Sequence, residues 1–263
     1  MLITDAKRIV VKVGTSTLTH KTGHINIRLI EHLVKVLSDL KNSGREIILV
    51  TSGAIGVGVG KLGLAKRPSD IPGKQAAAAV GQCELMYLYD KYFSEYNLTV
   101  GQVLLTRYTM DNEDARENVK NTFDALLRMN AIPVVNENDT VATDEIRVGD
   151  NDTLSAMVSE IVGADALIIL SDIDGLYTAN PSEDSDAVLV ERVEIIDDAL
   201  MDTAGGAGTQ RGTGGMVTKL YAARIATEAG TDMYIINGKQ PDNLYDLLEG
   251  QNIGTHFAAK QGK

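Results

Sequence analysis

The residues best suited to chemistry lie in one short stretch near the C-terminal end, Gly212 to Lys219, which reads Gly-Thr-Gly-Gly-Met-Val-Thr-Lys. Glycine adopts backbone conformations closed to other residues, so its N–H groups can approach a ligand closely. The apolar spacing over residues 216–229 predicts a helix directly after the glycines. A helix N-terminus favours anions, and Lys219 lies one turn in, on the same face as Gly215. Taken alone, the stretch fits a polyphosphate cradle and a flexible surface loop equally well.

Lys12 is a second lysine that could take part in chemistry. It lies inside the β-branched run Arg8–Val13, which predicts a buried strand. A buried lysine is costly unless it pairs with an anion. Because Gly14, Thr15 and Ser16 follow at the strand end, a bound phosphate is one interpretation. An edge-strand lysine that points to solvent is the alternative.

Carboxylates are concentrated between Glu137 and Asp152, with Arg147 as the one basic residue. The acidic residues are Glu137, Asp139, Asp144, Glu145, Asp150 and Asp152. A helix predicted at 154–162 follows, so capping of its N-terminus explains one of these side chains but not six. Such a pocket suits Mg²⁺ or a cationic group such as an α-amine.

The segment Gly58-Val-Gly60-Lys-Leu-Gly63 imitates a dinucleotide-binding fingerprint. It does not begin in the turn after a strand, and no acidic strand end follows about 20 residues later. A P-loop is excluded as well, because Leu62 stands where serine or threonine is required and Ile55 stands five residues before Gly60. We therefore reject a nucleotide site at these glycines.

These candidate residues need a scaffold, and the hydrophobic pattern predicts an α/β domain. Predicted strands are 8–13, 46–51, 100–105, 131–136, 166–170, 188–190, 233–236 and 253–257, and predicted helices are 27–40, 74–95, 115–129, 154–162 and 216–229. Apolar strands that alternate with helices are typical of a parallel sheet covered by helices. Ser171 and Asp172 follow the fifth strand, where such folds bind ligands. We expect one continuous domain over residues 1–263.

Composition excludes some classes of function. The chain has 263 residues, 44% of them hydrophobic, and a formal net charge of −11, which argues against a nucleic-acid-binding surface. Cys83 is the single cysteine, so no intramolecular disulfide is possible; we expect it to be a small core residue of an alanine-rich helix. No signal-peptide layout or membrane-spanning apolar run is present, which predicts a cytoplasmic protein without membrane partners.

Six segments together resemble the amino-acid-kinase family over essentially the whole chain. They are Val11–Ser16, Thr51–Ile55, Asn136–Asp139, Gly149–Asp152, Ser171-Asp172 with Gly175–Tyr177, and Gly212–Lys219. The resemblance is to members that transfer the γ-phosphoryl group of ATP, with Mg²⁺, to the γ-carboxylate of L-glutamate, the first step of proline synthesis. It implies a three-layer sandwich whose mainly parallel central sheet has about eight strands.

The resemblance also implies residue roles. Lys12 and Lys219 would stabilise the transferring phosphoryl group, and Asp152 would position both lysines. The residues implied for glutamate are Ser52, Asn136, Asp139, Asp150 and Asn151. Those implied for ATP are Lys12, Ser171, Asp172, Thr213, Gly214, Gly215, Met216, Val217, Thr218 and Lys219. No residue is implied as a direct metal ligand, and the acidic segment becomes a site for the α-ammonium group.

Further expectations follow from the same resemblance. They are a homo-oligomer, feedback inhibition by proline, possible contact with a reductase that consumes the labile acyl phosphate, and the absence of the C-terminal RNA-binding-type PUA domain of many relatives. The open alternatives are a kinase for aspartate, acetylglutamate or a nucleoside monophosphate, and a non-catalytic amino-acid sensor. A dinucleotide-dependent oxidoreductase rests only on the rejected glycines. A carboxylate acceptor is already ionised at pH 7, so the absence of a nucleophile–base pair is expected.

Overall fold

The computed structural model describes residues 2–20, 24–141, 151–181, 183–205 and 215–260. Within these residues, eight strands form one sheet in the order β3-β4-β2-β1-β5-β7-β8-β6. The strands are β1 Arg8–Val13, β2 Glu46–Val50, β3 Val100–Leu105, β4 Ile132–Glu137, β5 Ala166–Ser171, β6 Arg192–Val193, β7 Asp232–Asn237 and β8 Thr255–Phe257. Every neighbouring pair is parallel except β7 with β8.

Helices connect the strands. They are α1 Thr15–Leu18, α2 Ile27–Asn42, α3 Ala54–Lys61, α4 Ile71–Ser94, α5 Arg107–Asp111, α6 Glu113–Arg128, α7 Asn151–Val162, α8 Asp198–Gly205, α9 Met216–Glu228 and α10 Asn243–Leu248, with a 3₁₀ turn at Ile3–Asp5. None of the helices in the described residues combines the length and apolarity needed to cross a bilayer.

Two hydrophobic clusters cover the two faces of the sheet, so the three-layer α/β fold expected from the sequence is confirmed. One cluster contains the buried side chains of α2, α3, α4 and α10, and the other those of α6, α7 and α9. Side chains alternate along a strand. In β1 this places Val11 in the first cluster and Val10 in the second, so Lys12 faces α7 and α9.

The predicted strand at 188–190 is wrong. Leu189 makes only an isolated bridge to Tyr177, and the backbone of this stretch pairs with the 176–178 arm rather than with the sheet. Val188 is 63% exposed, so this apolar run does not belong to the core. The short sheet strand lies just beyond it, at Arg192–Val193.

Cys83 is also not the core residue that was expected, because it is exposed on α4. The helix buries alanines on the opposite side instead, where α3 packs closely. A Cβ atom added at Gly58 would lie 1.7 Å from the carbonyl oxygen of Ala77, and one at Gly81 would lie 1.8 Å from that of Ala54. Gly58 therefore serves backbone-to-backbone helix packing, which supports the rejection of a dinucleotide site there.

This contact gives a matched pair of substitutions. Gly58→Ala is expected to lower the free energy of unfolding by about 3 kcal/mol, because the backbone of α4 must move to admit one methyl group. Gly56→Ala, on the same helix, is the control: its Cβ would meet only Thr15 at 3.7 Å. That variant should be neutral or stabilising by up to about 1 kcal/mol, since alanine is the better helix former. Urea denaturation of both variants measures the difference, and equal stabilities would contradict the packing argument.

Candidate active site

Two buried lysines meet one buried carboxylate at the centre of the molecule. Lys12 Nζ lies 2.5 Å from Asp152 Oδ1, and Lys219 Nζ lies 3.1 Å from Asp152 Oδ2. The carboxyl-bearing residue is 0% exposed, and the two lysines are 7% and 6% exposed. The buried strand expected around Lys12 is confirmed, and the exposed edge-strand alternative is wrong. The sequence suggested a bound phosphate beside this lysine, whereas the anion next to it in the described residues is the Asp152 side chain.

Local structure brings these groups together. Lys12 occupies the central strand β1, Asp152 lies in the first turn of α7, and Lys219 lies one turn into α9. The Thr218 hydroxyl lies within hydrogen-bond distance of both Asp152 Oδ2, at 3.2 Å, and the carbonyl oxygen of Gly215, at 2.7 Å. The start of α9 is thereby tied to the start of α7.

The lysines determine the charge state of Asp152. Burial by itself would raise the pKa of this carboxyl group, but the nearby charges of Lys12 and Lys219 and their hydrogen bonds outweigh burial and hold the pKa below its ordinary value. The group is therefore an ionised carboxylate at neutral pH. It can hold two ammonium groups side by side at the carboxyl end of β1.

Polar groups at the ends of β2 and β4 form one flank of this centre. Asn151 Nδ2 donates to the backbone oxygen of Thr51, at 2.5 Å, and to Asn136 Oδ1, at 2.8 Å. Asn136 is 1% exposed, at the end of β4. Half-buried Ser52 follows Thr51, and half-buried Asp139 lies two residues beyond β4. These four predicted acceptor residues thus lie at or next to neighbouring strand ends.

The ends of β5 and β7 form the opposite flank. Ser171 is the last, buried residue of β5, and Asp172 after it is exposed. The N–H of Gly238 donates to the backbone oxygen of Ser171 at 2.7 Å. Asn237, at the end of β7, donates to Asp174 at 2.7 Å.

The first turn of α9 provides backbone N–H groups on the same flank as the ends of β5 and β7. Gly215 is the residue before the helix and supplies no side-chain cap. Met216, Val217 and Thr218 follow in the first turn and are half-buried. A first turn without a side-chain cap suits an anionic ligand. Three predicted residues, Asp150, Thr213 and Gly214, lie outside the described residues.

Three residues with polar contacts at these strand ends were missed from the sequence: Gln82, Tyr89 and Asn237. Asn237 carried a usable signal, because it is a polar residue at the end of an apolar strand. Gln82 and Tyr89 lie within α4, and only their seven-residue spacing among apolar neighbours could have marked them.

The central position of β1 places the lysine–aspartate cluster where α/β sheets bind ligands. β1 lies between β2 and β5, where the sheet changes its direction of growth, and α/β proteins bind ligands in the crevice at this point. Two lysines over such a crevice suit the transfer of a charged group between ligands bound on either side. The fold and the site together are those of an α/β protein whose strand-end crevice suits the transfer of a phosphoryl group.

Comparison with known proteins specifies the family. The model of the Amino acid kinase family matches residues 7–237, so the chain belongs to that family. Within it, the chain is 56% identical over 263 residues to the glutamate 5-kinase of Clostridium perfringens, covering 98% of each chain. It is 54% identical over 261 residues to that of Listeria monocytogenes, covering 98% of this chain and 95% of the relative.

A solved structure gives the same fold at low identity. The isopentenyl phosphate kinase of T. acidophilum superimposes with a TM-score of 0.65 and 18% identity, covering 95% of this chain and all of that one. This likeness concerns the fold only. The central parallel sheet of the amino-acid-kinase fold is therefore confirmed independently of the sequence motifs.

Proposed function

We propose that this chain uses ATP to phosphorylate the γ-carboxylate of L-glutamate, giving L-glutamyl 5-phosphate in the first step of proline biosynthesis. The observation that carries the proposal is the buried Lys12–Asp152–Lys219 cluster between two flanks of strand-end polar groups. Its support is the identity of 56% to a glutamate 5-kinase over nearly the full length of both chains. The chain thus combines the family's fold with a site suited to phosphoryl transfer.

The proposed mechanism needs positioning and charge rather than proton removal. Glutamate binds at the β2–β4 flank, through Ser52, Asn136, Asp139, Asp150 and Asn151. ATP binds at the β5 end and the α9 N-terminus, through Ser171, Asp172, Thr213, Gly214 and the turn from Gly215 to Lys219. A γ-carboxylate oxygen attacks the γ-phosphorus in line, and the bond from that phosphorus to the bridging oxygen breaks to release ADP.

Lys12 and Lys219 stabilise the charge on the phosphoryl oxygens during this transfer. Asp152 keeps both ammonium groups at fixed positions, so little reorganisation is needed as charge shifts. Because the acceptor is an ionised carboxylate, no general base is required.

Mg²⁺ fits this site as a companion of the nucleotide. Among the described residues, no group of three or more His, Cys, Asp or Glu side chains is placed to hold a metal ion alone. Mg²⁺ would accompany the nucleotide and would supply positive charge in addition to that of Lys12 and Lys219. The chain's own residues bind and orient the phosphates around it.

The proposal includes four further expectations, which rest on family membership. They are a single kinase domain, a cytoplasmic location, assembly into a homo-oligomer and feedback inhibition by proline. Transfer of the labile acyl phosphate to a reductase is the corresponding downstream step. No nucleic-acid partner is proposed, in keeping with the net charge of −11.

An acceptor panel tests the proposed function. ADP release is measured with ATP and Mg²⁺ and either L-glutamate, L-aspartate, N-acetylglutamate or a nucleoside monophosphate, with and without proline. We expect turnover with glutamate only. Turnover with aspartate but not glutamate would overturn the assignment, and no ADP release with any acceptor would favour the amino-acid sensor.

A further inference from the structure

Helix α4 directs two polar side chains toward the sheet from an otherwise apolar face. Gln82 and Tyr89 are seven residues apart, two helical turns, so they share the face that also buries Leu85 and Phe93. Tyr89 is fully buried and Gln82 is 8% exposed. The Asn151 amide is held by Asn136 and Thr51, and Gln82 contacts the first of these while Tyr89 contacts the second. Helix α4 therefore supports the acceptor flank.

Gln82 holds the amino end of the Asn136 amide. Gln82 Oε1 accepts a hydrogen bond from Asn136 Nδ2 at 2.8 Å. This contact agrees with the orientation in which Asn136 Oδ1 accepts from Asn151 Nδ2 and from the N–H of Glu137, both at 2.8 Å. In the flipped orientation, the Asn136 amino group would face these two donors and its oxygen would face Gln82 Oε1, so all three hydrogen bonds of the side chain would be lost.

Tyr89 supports the second anchor of Asn151. Its hydroxyl lies 2.8 Å from Thr51 Oγ1, and the Thr51 backbone oxygen accepts from Asn151 Nδ2. Burial raises the pKa of the Tyr89 phenol, so the hydroxyl stays neutral and available for hydrogen bonding. Both anchors of the Asn151 amide are therefore held by one helix.

The two polar atoms of the Gln82 amide differ in hydrogen bonding. Oε1 is hydrogen-bonded, whereas Nε2 is buried without a hydrogen-bond partner among the described residues. A buried donor left unpaired costs free energy. An apolar side chain of similar length would avoid that cost, but it would leave the buried Asn136 Nδ2 without this acceptor. The glutamine at this position therefore supplies an oxygen to Asn136 although its own amino group gains no hydrogen bond.

We propose that Gln82 is a positioning residue for acceptor binding, which acts through Asn136 on the Asn151 amide, and that Tyr89 supports the same amide through Thr51. This inference rests on the proposed function, which places the amino-acid acceptor at this flank. The nucleotide flank at Ser171 and Asp172 lies across β1, and within the described residues the hydrogen bonds of Gln82 and Tyr89 run to Asn136 and Thr51 on the acceptor side.

The test separates the two substrates. Gln82→Met removes the orienting oxygen and keeps the length of the side chain. We expect the KM for glutamate to rise by about tenfold, equivalent to about 1.4 kcal/mol of binding free energy, while the KM for ATP stays within about twofold. The melting temperature should fall by about a few degrees at most, because the buried Asn136 Nδ2 loses this acceptor. Gln75→Met, the same change on the same helix, is the matched control and should leave both KM values unchanged.

Two further variants keep the inference falsifiable if Gln82→Met does not fold. Gln82→Glu keeps an oxygen at the Oε1 position and loses only the unpaired donor; at pH 6, where burial favours the protonated carboxyl, its KM for glutamate should return close to the wild-type value. Tyr89→Phe removes one hydroxyl and should raise the KM for glutamate by about threefold or more, also without affecting that for ATP.

An equal rise in both KM values, or a loss of stability with an unchanged KM ratio, would show a merely structural role and overturn the inference. Wild-type protein in the same assay reports on the proposed function separately. If it used another acceptor from the panel, the KM for that acceptor would replace the one for glutamate in each comparison.

Discussion

Lys219→Ala is expected to lower kcat by about 10²- to 10³-fold, the typical effect of removing one preorganised group that stabilises transition-state charge. The variant should still fold, because Lys12 continues to neutralise Asp152 at 2.5 Å. The KM for glutamate should change little, since the acceptor contacts proposed at Ser52, Asn136 and Asn151 are untouched. Steady-state measurement of ADP release at varied glutamate and ATP concentrations gives both parameters.

The control for this variant is Lys120→Ala, which removes an exposed lysine paired with Asp124 on the surface of α6. Its kcat should equal the wild-type value. A Lys219→Ala protein with wild-type turnover would remove Lys219 from the proposed mechanism, and a large rise in the KM for glutamate alone would assign the lysine to acceptor binding instead.

Asp152→Asn is expected to have the largest effect on stability. It leaves two buried ammonium groups without their shared carboxylate, and breaking a buried pair in this way costs about 3–5 kcal/mol. Turnover should fall with it, because neither lysine keeps its position at the transferring group. Chemical denaturation measures the first effect and the ADP-release assay measures the second.

The matched substitution is Asp124→Asn, which removes the charge that pairs with Lys120 at 2.7 Å and lies 4.0 Å from Arg8. Because that pair is solvent-exposed, the expected loss is below about 1 kcal/mol. Equal losses of stability for the two variants would contradict the dominant role assigned to the buried cluster.

The same carboxylate gives the wild-type protein a defined acid response. Its pKa is lowered in the folded state from an ordinary value of 3.8, so ionised Asp152 contributes stability that is present above pH 3.8 and is lost as the pH falls through the lower, folded value. The free energy of unfolding of the wild type should therefore decline more steeply below pH 4 than that of Asp152→Asn.

The scaffold could be predicted where the local pattern alone decides it. β1 and β3 have the predicted bounds, because each is a short run of strand-forming residues between turn signals. Cys83 shows where this reasoning fails. Helix α4 carries alanines on several of its sides, so its sequence does not reveal which face packs against α3. The predicted strand at 188–190 was wrong because an apolar residue in a surface arm cannot be told from one in a sheet by its sequence alone.

The candidate site could be predicted only in part, for a different reason. Lys12 could be recognised alone, since a lysine in a buried strand requires an anion. That the anion is Asp152, 140 residues later, depends on the order of strands in the sheet and entered only through the family resemblance. The Gln82–Asn136 contact joins residues 54 positions apart, and no sequence motif indicates it.

The division of the sheet at β1 separates the two substrates along the chain as well as in space. The strand ends proposed for the acceptor, at β2 and β4, precede the β5 end and the α9 N-terminus proposed for ATP, whereas Lys12, which stabilises the transferring group, comes before both on β1. The part of the gene that encodes acceptor recognition can therefore change without altering the part that encodes nucleotide binding. Modularity of this kind lets one scaffold acquire new acceptors while keeping ATP as the phosphoryl donor, and the segment from β2 to β4 is the part to exchange, because β1 carries Lys12.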